Sequence, residues 1–218
     1  MFICKFDTAR DKIIKDFISH NLVGKTVLEL GCGSGERTKF FYDVCQVTGV
    51  DIVSKVSLKR KSRFSFFLTD ATALPFEDAS FDAIVSFDVV EHILDDEKFV
   101  HEAFRVCRKG GFFLIGTPNR LRLSNRLMGL MGTPVRYPYY LGPDTIHLRE
   151  YTLKQFDTLC RNGGLIGNCL SVWVGLVGRI DLGLDVFPSA FASLSQYLLY
   201  IGCKSQRGVS LLPLDDLS

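Results

Sequence analysis

Three glycines at alternate positions, Gly31, Gly33 and Gly35, follow directly on the apolar run Val27-Leu28-Glu29-Leu30. That run predicts a short buried strand. Glu36-Arg37-Thr38 then open a segment with Phe40, Phe41, Val44 and Cys45 at helical spacing. A strand, a glycine turn and a helix make the first half of a βαβ nucleotide-binding unit. Glycine lets the backbone take conformations closed to other residues and lets a ligand lie against the main chain. The spacing narrows the ligand. A dinucleotide fingerprint, G-x-G-x-x-G, would need its last glycine where Glu36 stands. A carboxylate at a helix N-terminus repels a pyrophosphate. A cofactor without phosphate is expected instead, and Glu29 is a candidate partner for a cationic one.

The same residues resemble motif I of the class I S-adenosylmethionine-dependent methyltransferases: an apolar pair, an acid, an apolar residue and Gly-x-Gly-x-Gly. Further along, Gln46-Val47-Thr48-Gly49-Val50 predicts a second strand ending at Asp51, 20 residues past Gly31. Ligands of α/β sheets sit beyond the carboxyl ends of the strands, so Asp51 is placed to accept hydrogen bonds from both ribose hydroxyls. Ile52 beside it is assigned to the same site. A third strand over Phe64–Leu68 runs into Thr69-Asp70-Ala71-Thr72-Ala73-Leu74-Pro75-Phe76, which resembles the family's adenine segment. That resemblance implies that Asp70 accepts from the adenine amino group and that the Ala71 N–H faces a ring nitrogen.

Phe81–Phe87 reads as a fourth strand buried on both faces, and Phe87 at its end joins the cofactor-binding set. Glu91-His92 after it, and Thr117-Pro118-Asn119 after a fifth strand over Phe112–Gly116, are similar to the small-molecule branch that includes quinone-biosynthesis O-methyltransferases. Between them Leu94–Arg108 predicts a helix, acidic at its start and closed by Arg108-Lys109-Gly110-Gly111. His147-Leu148-Arg149-Glu150-Tyr151-Thr152 resembles the family's His-x-Arg-x-Tyr-Thr element. Thr152 and Gln155 form a capping box ahead of a helix with Leu153, Phe156, Leu159 and Cys160 on one face. A sixth strand over Leu165–Val174, a short helix over 187–195 and a last strand over Gln196–Cys203 complete the pass, with an amphipathic helix over residues 8–21 before the first strand.

The resemblance implies an α/β, Rossmann-like fold: a seven-stranded, mostly parallel sheet with its last strand antiparallel and helices on both faces. One methyltransferase domain over 1–205 is expected, with a frayed tail over 206–218. The reaction this resemblance implies is transfer of the sulfonium methyl of S-adenosylmethionine to a nucleophile. For an oxygen nucleophile a proton must be removed, and histidine is matched to that near neutral pH. His147 is the first candidate and His92 the second. The amine-directed Asn/Asp-Pro-Pro-Tyr/Phe element is replaced by Phe87-Asp88-Val89-Val90, which argues against exocyclic-amine acceptors.

Residues 120–145 are too long for a tight connection. Leu121, Leu123, Leu127, Met128, Leu130 and Met131 alternate there with Arg120, Arg122 and Arg126. A lid over the substrate is one reading, a segment lying on an anionic membrane the second, and a core-packing helix the third. Lys55, Lys59, Arg60, Lys61 and Arg63 read as a solvated charged end or a headgroup patch. Net charge is only +2, too small to point to nucleic acid. The seven cysteines form no C-x-x-C pair, so neither a zinc site nor a disulfide framework is expected and a reducing cytoplasm fits. No metal is expected, and no leader or spanning segment. An O-methyltransferase of a small or lipid-like acceptor is therefore expected. The alternatives are an RNA or other nucleic-acid methyltransferase and a non-catalytic methyltransferase-like binding subunit.

Overall fold

The computed structural model describes residues 8–57, 62–142, 145–172 and 195–205. Its elements in order are α1 (Thr8–Asn21), β1 (Thr26–Leu30), a 3-10 turn (Thr38–Phe40), β2 (Gln46–Asp51), β3 (Phe64–Leu68), β4 (Phe81–Phe87) and a second 3-10 turn (Val90–His92). Then follow α2 (Asp96–Val106), β5 (Cys107–Pro118), α3 (Leu123–Leu130), β6 (Tyr139–Gly142), β7 (Thr145–His147), α4 (Leu153–Asn162), β8 (Ile166–Val172) and β9 (Tyr197–Cys203). Seven strands form one sheet in the order β3-β2-β1-β4-β5-β9-β8, and β6-β7 is a separate hairpin. Pairings from β3 to β5 are parallel, while β9 runs antiparallel to both its neighbours. The expected Rossmann-like sheet with a reversed last strand is what the chain forms.

Side chains alternate across the sheet, as the two-residue period of a strand requires. Leu28, Leu30, Ile84, Phe113 and Ile115 pack with Phe99, Val100 and Ala103 of α2 and Phe156 and Cys160 of α4. Val27, Ala83, Val85 and Leu114 pack on the opposite face with Ile14, Phe17 and Ile18 of α1. A central strand buried on both faces needs a near-continuous apolar run, and β4 supplies one from Ala83 to Phe87 interrupted only by Ser86, whose buried hydroxyl donates to Leu30 O. The capping box of α4 is present: Thr152 Oγ1 accepts from the Gln155 N–H and Gln155 Oε1 from the Thr152 N–H.

Four local expectations are corrected. After the glycine turn the chain makes a 3-10 turn and further turns, not a helix. Thr38, Phe40, Phe41, Tyr42 and Val44 all lose rotamer freedom in a helix, and Phe41 and Cys45 reach the core without one. Arg108–Gly111 do not close a helix: α2 ends at Val106 and these residues extend β5. There Gly110 N–H donates to Lys204 O and the Lys204 ammonium binds the carbonyls of Phe104 and Cys107, so β5 and the end of β9 satisfy each other. Leu153 is exposed and not part of the buried stripe of α4. Finally, α3 buries none of its residues, which removes the core-packing reading of 120–145.

Among the described residues no helix is long and apolar enough to cross a membrane. Lys59, Arg60 and Lys61, residues 173–174 of the sixth strand, the short helix expected over 187–195 as far as residue 194, and the tail 206–218 lie outside the described residues.

Candidate active site

A cavity of about 420 Å³ opens at the carboxyl ends of β1, β2 and β4. Gly31 and Gly33 form one wall, Asp51, Ile52 and Val53 another, Thr69 and Ala71 a third, and Asp88, Val89, His92, Ile93 and Ile146 the far end. Both glycines have positive φ, +70° at Gly31 and +52° at Gly33. A Cβ at Gly31 would lie 2.2 Å from Val89 Cγ2, whereas one at Gly33 would meet nothing within 4 Å. Gly31 therefore lets the turn pack on the chain after β4, and Gly33 keeps the backbone open to the cavity.

Asp51 ends β2 with its carboxylate already oriented. Gly33 N–H donates to Oδ2 at 2.8 Å and Val53 N–H to Oδ1 at 2.9 Å. A carboxylate offers about four lone-pair sites, so two backbone donors leave room for a diol. The size of the cavity falls in the range of small-ligand sites. A nucleoside with a short cationic tail therefore fits the residues present.

Glu29 is not brought to this cavity. It is buried, and Thr38 Oγ1 donates to its Oε2 at 2.5 Å. Burial pushes its carboxyl up to about 8, against the relief of that hydrogen bond and of the Arg37 charge. Glu36 is also differently placed: with no helix behind it, it pairs with Lys39 at 2.8 Å. The dipole argument from Glu36 thus loses its helix, while the shape of the turn still excludes a dinucleotide fingerprint. Gly35 (φ +86°) is buried behind the turn. Phe87 is buried beneath the Arg37 guanidinium, 5.4 Å from its ring centroid, and is not in the cavity wall. Asp70 is exposed, with Oδ1 taken by the Thr72 N–H and hydroxyl, so Thr69 and Ala71 reach the cavity on either side of it.

At the far end three side chains gather. Glu91 is fully buried; Oε2 accepts from Thr117 Oγ1 at 2.9 Å, and Oε1 has no hydrogen-bond partner. Burial, with the Asp88 charge adding to it, pushes its carboxyl up to about 8. His92 turns Nδ1 to the Ile146 carbonyl at 2.5 Å, and burial lowers its pKa. The His147 ring lies edge-on to that of His92, centroids 4.7 Å apart. Its Nδ1 is 2.9 Å from Glu150 Oε1 and its Nε2 3.9 Å from Glu91 Oε1. Burial alone would raise Glu150, but His147 and Arg122 hold it below the usual carboxylate range. His92 lines the cavity and His147 stands behind it.

Gly31, Gly33, Asp51, Ile52, Ala71 and His92 are thus brought together, while Glu29, Gly35, Asp70, Phe87 and His147 stand outside the wall. Sequence reasoning missed Asp88, Val89, Val53 and Ile146. Asp88 has a signal in retrospect: an acid at a strand end, here at φ +58°, a region that aspartate tolerates. Its Oδ2 pairs with Arg37 Nη2 at 2.5 Å. Ile146 comes from the hairpin of β6 and β7, which periodicity over three or four residues cannot reveal.

Residues 28–115 match the family described as a methyltransferase domain. A Mycolicibacterium smegmatis protein named a probable S-adenosylmethionine-dependent methyltransferase is 37% identical over 119 residues, 53% of this chain and 46% of that one. The mitochondrial ubiquinone biosynthesis O-methyltransferase of Mus musculus is 31% identical over 134 residues, covering 54% of this chain and 36% of that one. The crystal structure of an S-adenosylmethionine-dependent methyltransferase from Mesorhizobium loti superposes with a TM-score of 0.65 at 14% identity, over 91% of this chain and 99% of that one. At that identity the likeness is one of fold. The chain spans about half the length of the curated relatives it matches, 46% to 54% for three of them.

Proposed function

We propose that this chain, whose residues 28–115 match a methyltransferase domain, is a class I S-adenosylmethionine-dependent methyltransferase that methylates an oxygen of a small or amphiphilic acceptor seated against His92, Ile93 and Ile146. The observation that carries this reading is a single cavity with an oriented carboxylate, Asp51, on one wall and an imidazole, His92, at the other end. When bound, the cofactor supplies an electrophilic methyl on a sulfonium. Asp51 would hold its ribose hydroxyls, Thr69 and Ala71 would border its base, and the Gly31–Gly33 backbone would lie along its chain.

The protein's part in such a transfer is alignment and exclusion of water. Val89, Ile93 and Ile146 supply apolar wall at the acceptor end. His92 is the histidine that reaches this end. A carbonyl only accepts, so the bond to Ile146 O keeps the proton on Nδ1 and leaves the Nε2 lone pair to take a hydroxyl proton. This reverses the order of the two histidines expected from the sequence. His147, held by Glu150 and edge-on to His92, is the positioning residue. An oxygen acceptor is supported by the likeness to the mouse ubiquinone O-methyltransferase, and an amphiphilic one by exposed Leu127, Leu130 and Met131 on and beside α3.

Titration calorimetry with S-adenosylmethionine and S-adenosylhomocysteine tests the cofactor half of the reading, and labelled methyl transfer to phenolic and lipid-linked hydroxyl acceptors tests the other. Failure of both cofactor forms to bind would overturn it. Cofactor binding without transfer to any acceptor in cell extract would leave a binding subunit.

A further inference from the structure

A second cavity, of about 550 Å³, lies between the first turn of α2, the chain after β5 and one side of α4. It shares no lining residue with the cavity at the strand ends. Arg120 stands on the wall after β5, Glu97 on the α2 wall, and Lys154, Thr158 and Asn162 on the α4 wall. Most other charges in the wall are already committed. Asp96 Oδ2 lies 2.8 Å from Arg149 Nη1 and accepts from the Tyr151 hydroxyl at 2.7 Å. Glu150 is buried and pairs with Arg122 and His147. Arg120 and Lys154 have no carboxylate partner among the described residues, and Glu97 has no cation.

We propose that this second cavity binds a sugar phosphate of monosaccharide size, with the phosphate between Arg120 and Lys154. Both side chains only donate, and a phosphate monoester is a dianion whose free oxygens only accept. The Arg120 guanidinium lies 5.6 Å from the Tyr137 ring centroid, which steadies its plane and leaves its N–H fork for an anion. A bare phosphate would leave most of the 550 Å³ unfilled, a volume in the range of small-ligand sites. Thr158 and Asn162, four residues apart on α4, share a face and can both donate and accept. Glu97 accepts from ligand hydroxyls and repels a second anionic group. Two cations for one phosphate, with two neutral groups and one carboxylate for hydroxyls, match a singly phosphorylated polyol.

The site is independent of methyl transfer. None of Glu97, Arg120, Lys154, Thr158 and Asn162 lines the other cavity, so the sugar phosphate is neither the cofactor nor the methyl acceptor.

Titration calorimetry at low ionic strength tests the site, with glucose 6-phosphate, glucose and inorganic phosphate as probes. Wild type should bind one equivalent of glucose 6-phosphate about tenfold or more tighter than either simpler probe, each of which lacks one set of contacts. Arg120→Gln with Lys154→Gln should weaken that binding about tenfold or more. Thr158→Val with Asn162→Leu should bring the ester down towards inorganic phosphate. Unchanged thermal midpoints show that these variants, all at exposed positions, are folded. Saturating S-adenosylhomocysteine should leave the affinity for glucose 6-phosphate as it was. Equal affinity in wild type and the Arg120 and Lys154 double variant overturns the site. Displacement by S-adenosylhomocysteine also overturns it, by placing the ester in the other cavity. Inorganic phosphate binding as tightly as the ester overturns the sugar assignment. Glucose 6-phosphate binding without cofactor binding would instead defeat the proposed function and leave this site standing.

Discussion

Gly33 donates its backbone N–H to Asp51 Oδ2 across 2.8 Å, tying the turn after β1 to the end of β2. With Val53 N–H on the other oxygen, the carboxylate is fixed before any ligand arrives, which lowers the ordering cost of binding. Asp51→Ala should therefore do two things: remove two charge-assisted bonds to the ribose and release the two backbone donors. Affinity for S-adenosylhomocysteine, measured by calorimetry, should fall at least tenfold, since bonds to a charged group are worth about 1.5–3 kcal/mol each. An affinity equal to wild type would remove Asp51 from the cofactor contacts.

The two histidines give a second expectation. His92→Ala should lower turnover roughly a hundredfold or more while cofactor affinity stays within a fewfold. His147→Ala should also lower turnover, and His147→Gln should recover part of it, because a side-chain amide can still donate to Glu150. Full activity in His92→Ala together with loss in His147→Ala would return the leading role to His147.

Glu29 yields a prediction about pH. Burial raises its carboxyl from 4.5 to about 8, so the folded protein keeps a proton that the unfolded chain releases. Stability linked to this group is fully present below pH 4.5 and is lost as pH climbs through about 8. Glu29→Gln keeps an acceptor for Thr38 and removes the titration. At about 1.4 kcal/mol per unit, discounted for relaxation, it should gain on the order of 3 kcal/mol over wild type at pH 8 and little at pH 4.5. Urea midpoints at the two pH values measure this. Parallel curves for the two proteins would show that Glu29 is ionised in the fold. A loss of cofactor affinity as large as that of Asp51→Ala would restore Glu29 to the cofactor contacts.

What the sequence shows clearly is whatever depends on local pattern. β1, β2, β4 and the capped start of α4 follow from short, largely apolar runs, glycine spacing and Thr152-x-x-Gln155. What it conceals depends on distant pairing. Lys204 draws Arg108–Gly111 into β5 from nearly 100 residues away, and no helix-end rule anticipates that. The cofactor end of the site was legible because its residues sit at strand ends in chain order. The acceptor end was not, since His147 and Ile146 arrive on a hairpin whose position beside Glu91 is set by tertiary contacts, Leu148 and Arg149 N–H donating to Glu91 O. The motif His147 to Thr152 announced importance without announcing which histidine faces the cavity.

The arginines of 120–126 bear differently on a membrane than their charge suggests. Arg122 pairs with buried Glu150, and the Arg120 guanidinium lies 5.6 Å from the Tyr137 ring centroid. Changing Arg122 would therefore disturb the His147 support as well as the surface charge, so a triple serine variant at 120, 122 and 126 confounds the two. The exposed face runs instead through Arg126, Leu127, Met128, Leu130 and Met131, with Leu130 85% and Met131 71% accessible. Of the exposed basic residues described in this segment, Arg120 is engaged with the Tyr137 ring, which leaves Arg126 and Arg136. At about 1 kcal/mol each near an anionic surface, two charges account for no more than about a thirtyfold gain, and the apolar side chains must supply the rest. Vesicle co-sedimentation should accordingly show binding to anionic liposomes that salt weakens but does not abolish. Leu127→Ser with Leu130→Ser and Met131→Ser should eliminate it, while Arg126→Ser alone should reduce it about fivefold. Negligible pelleting of the wild type would leave α3 as a lid and the acceptor as a water-borne molecule.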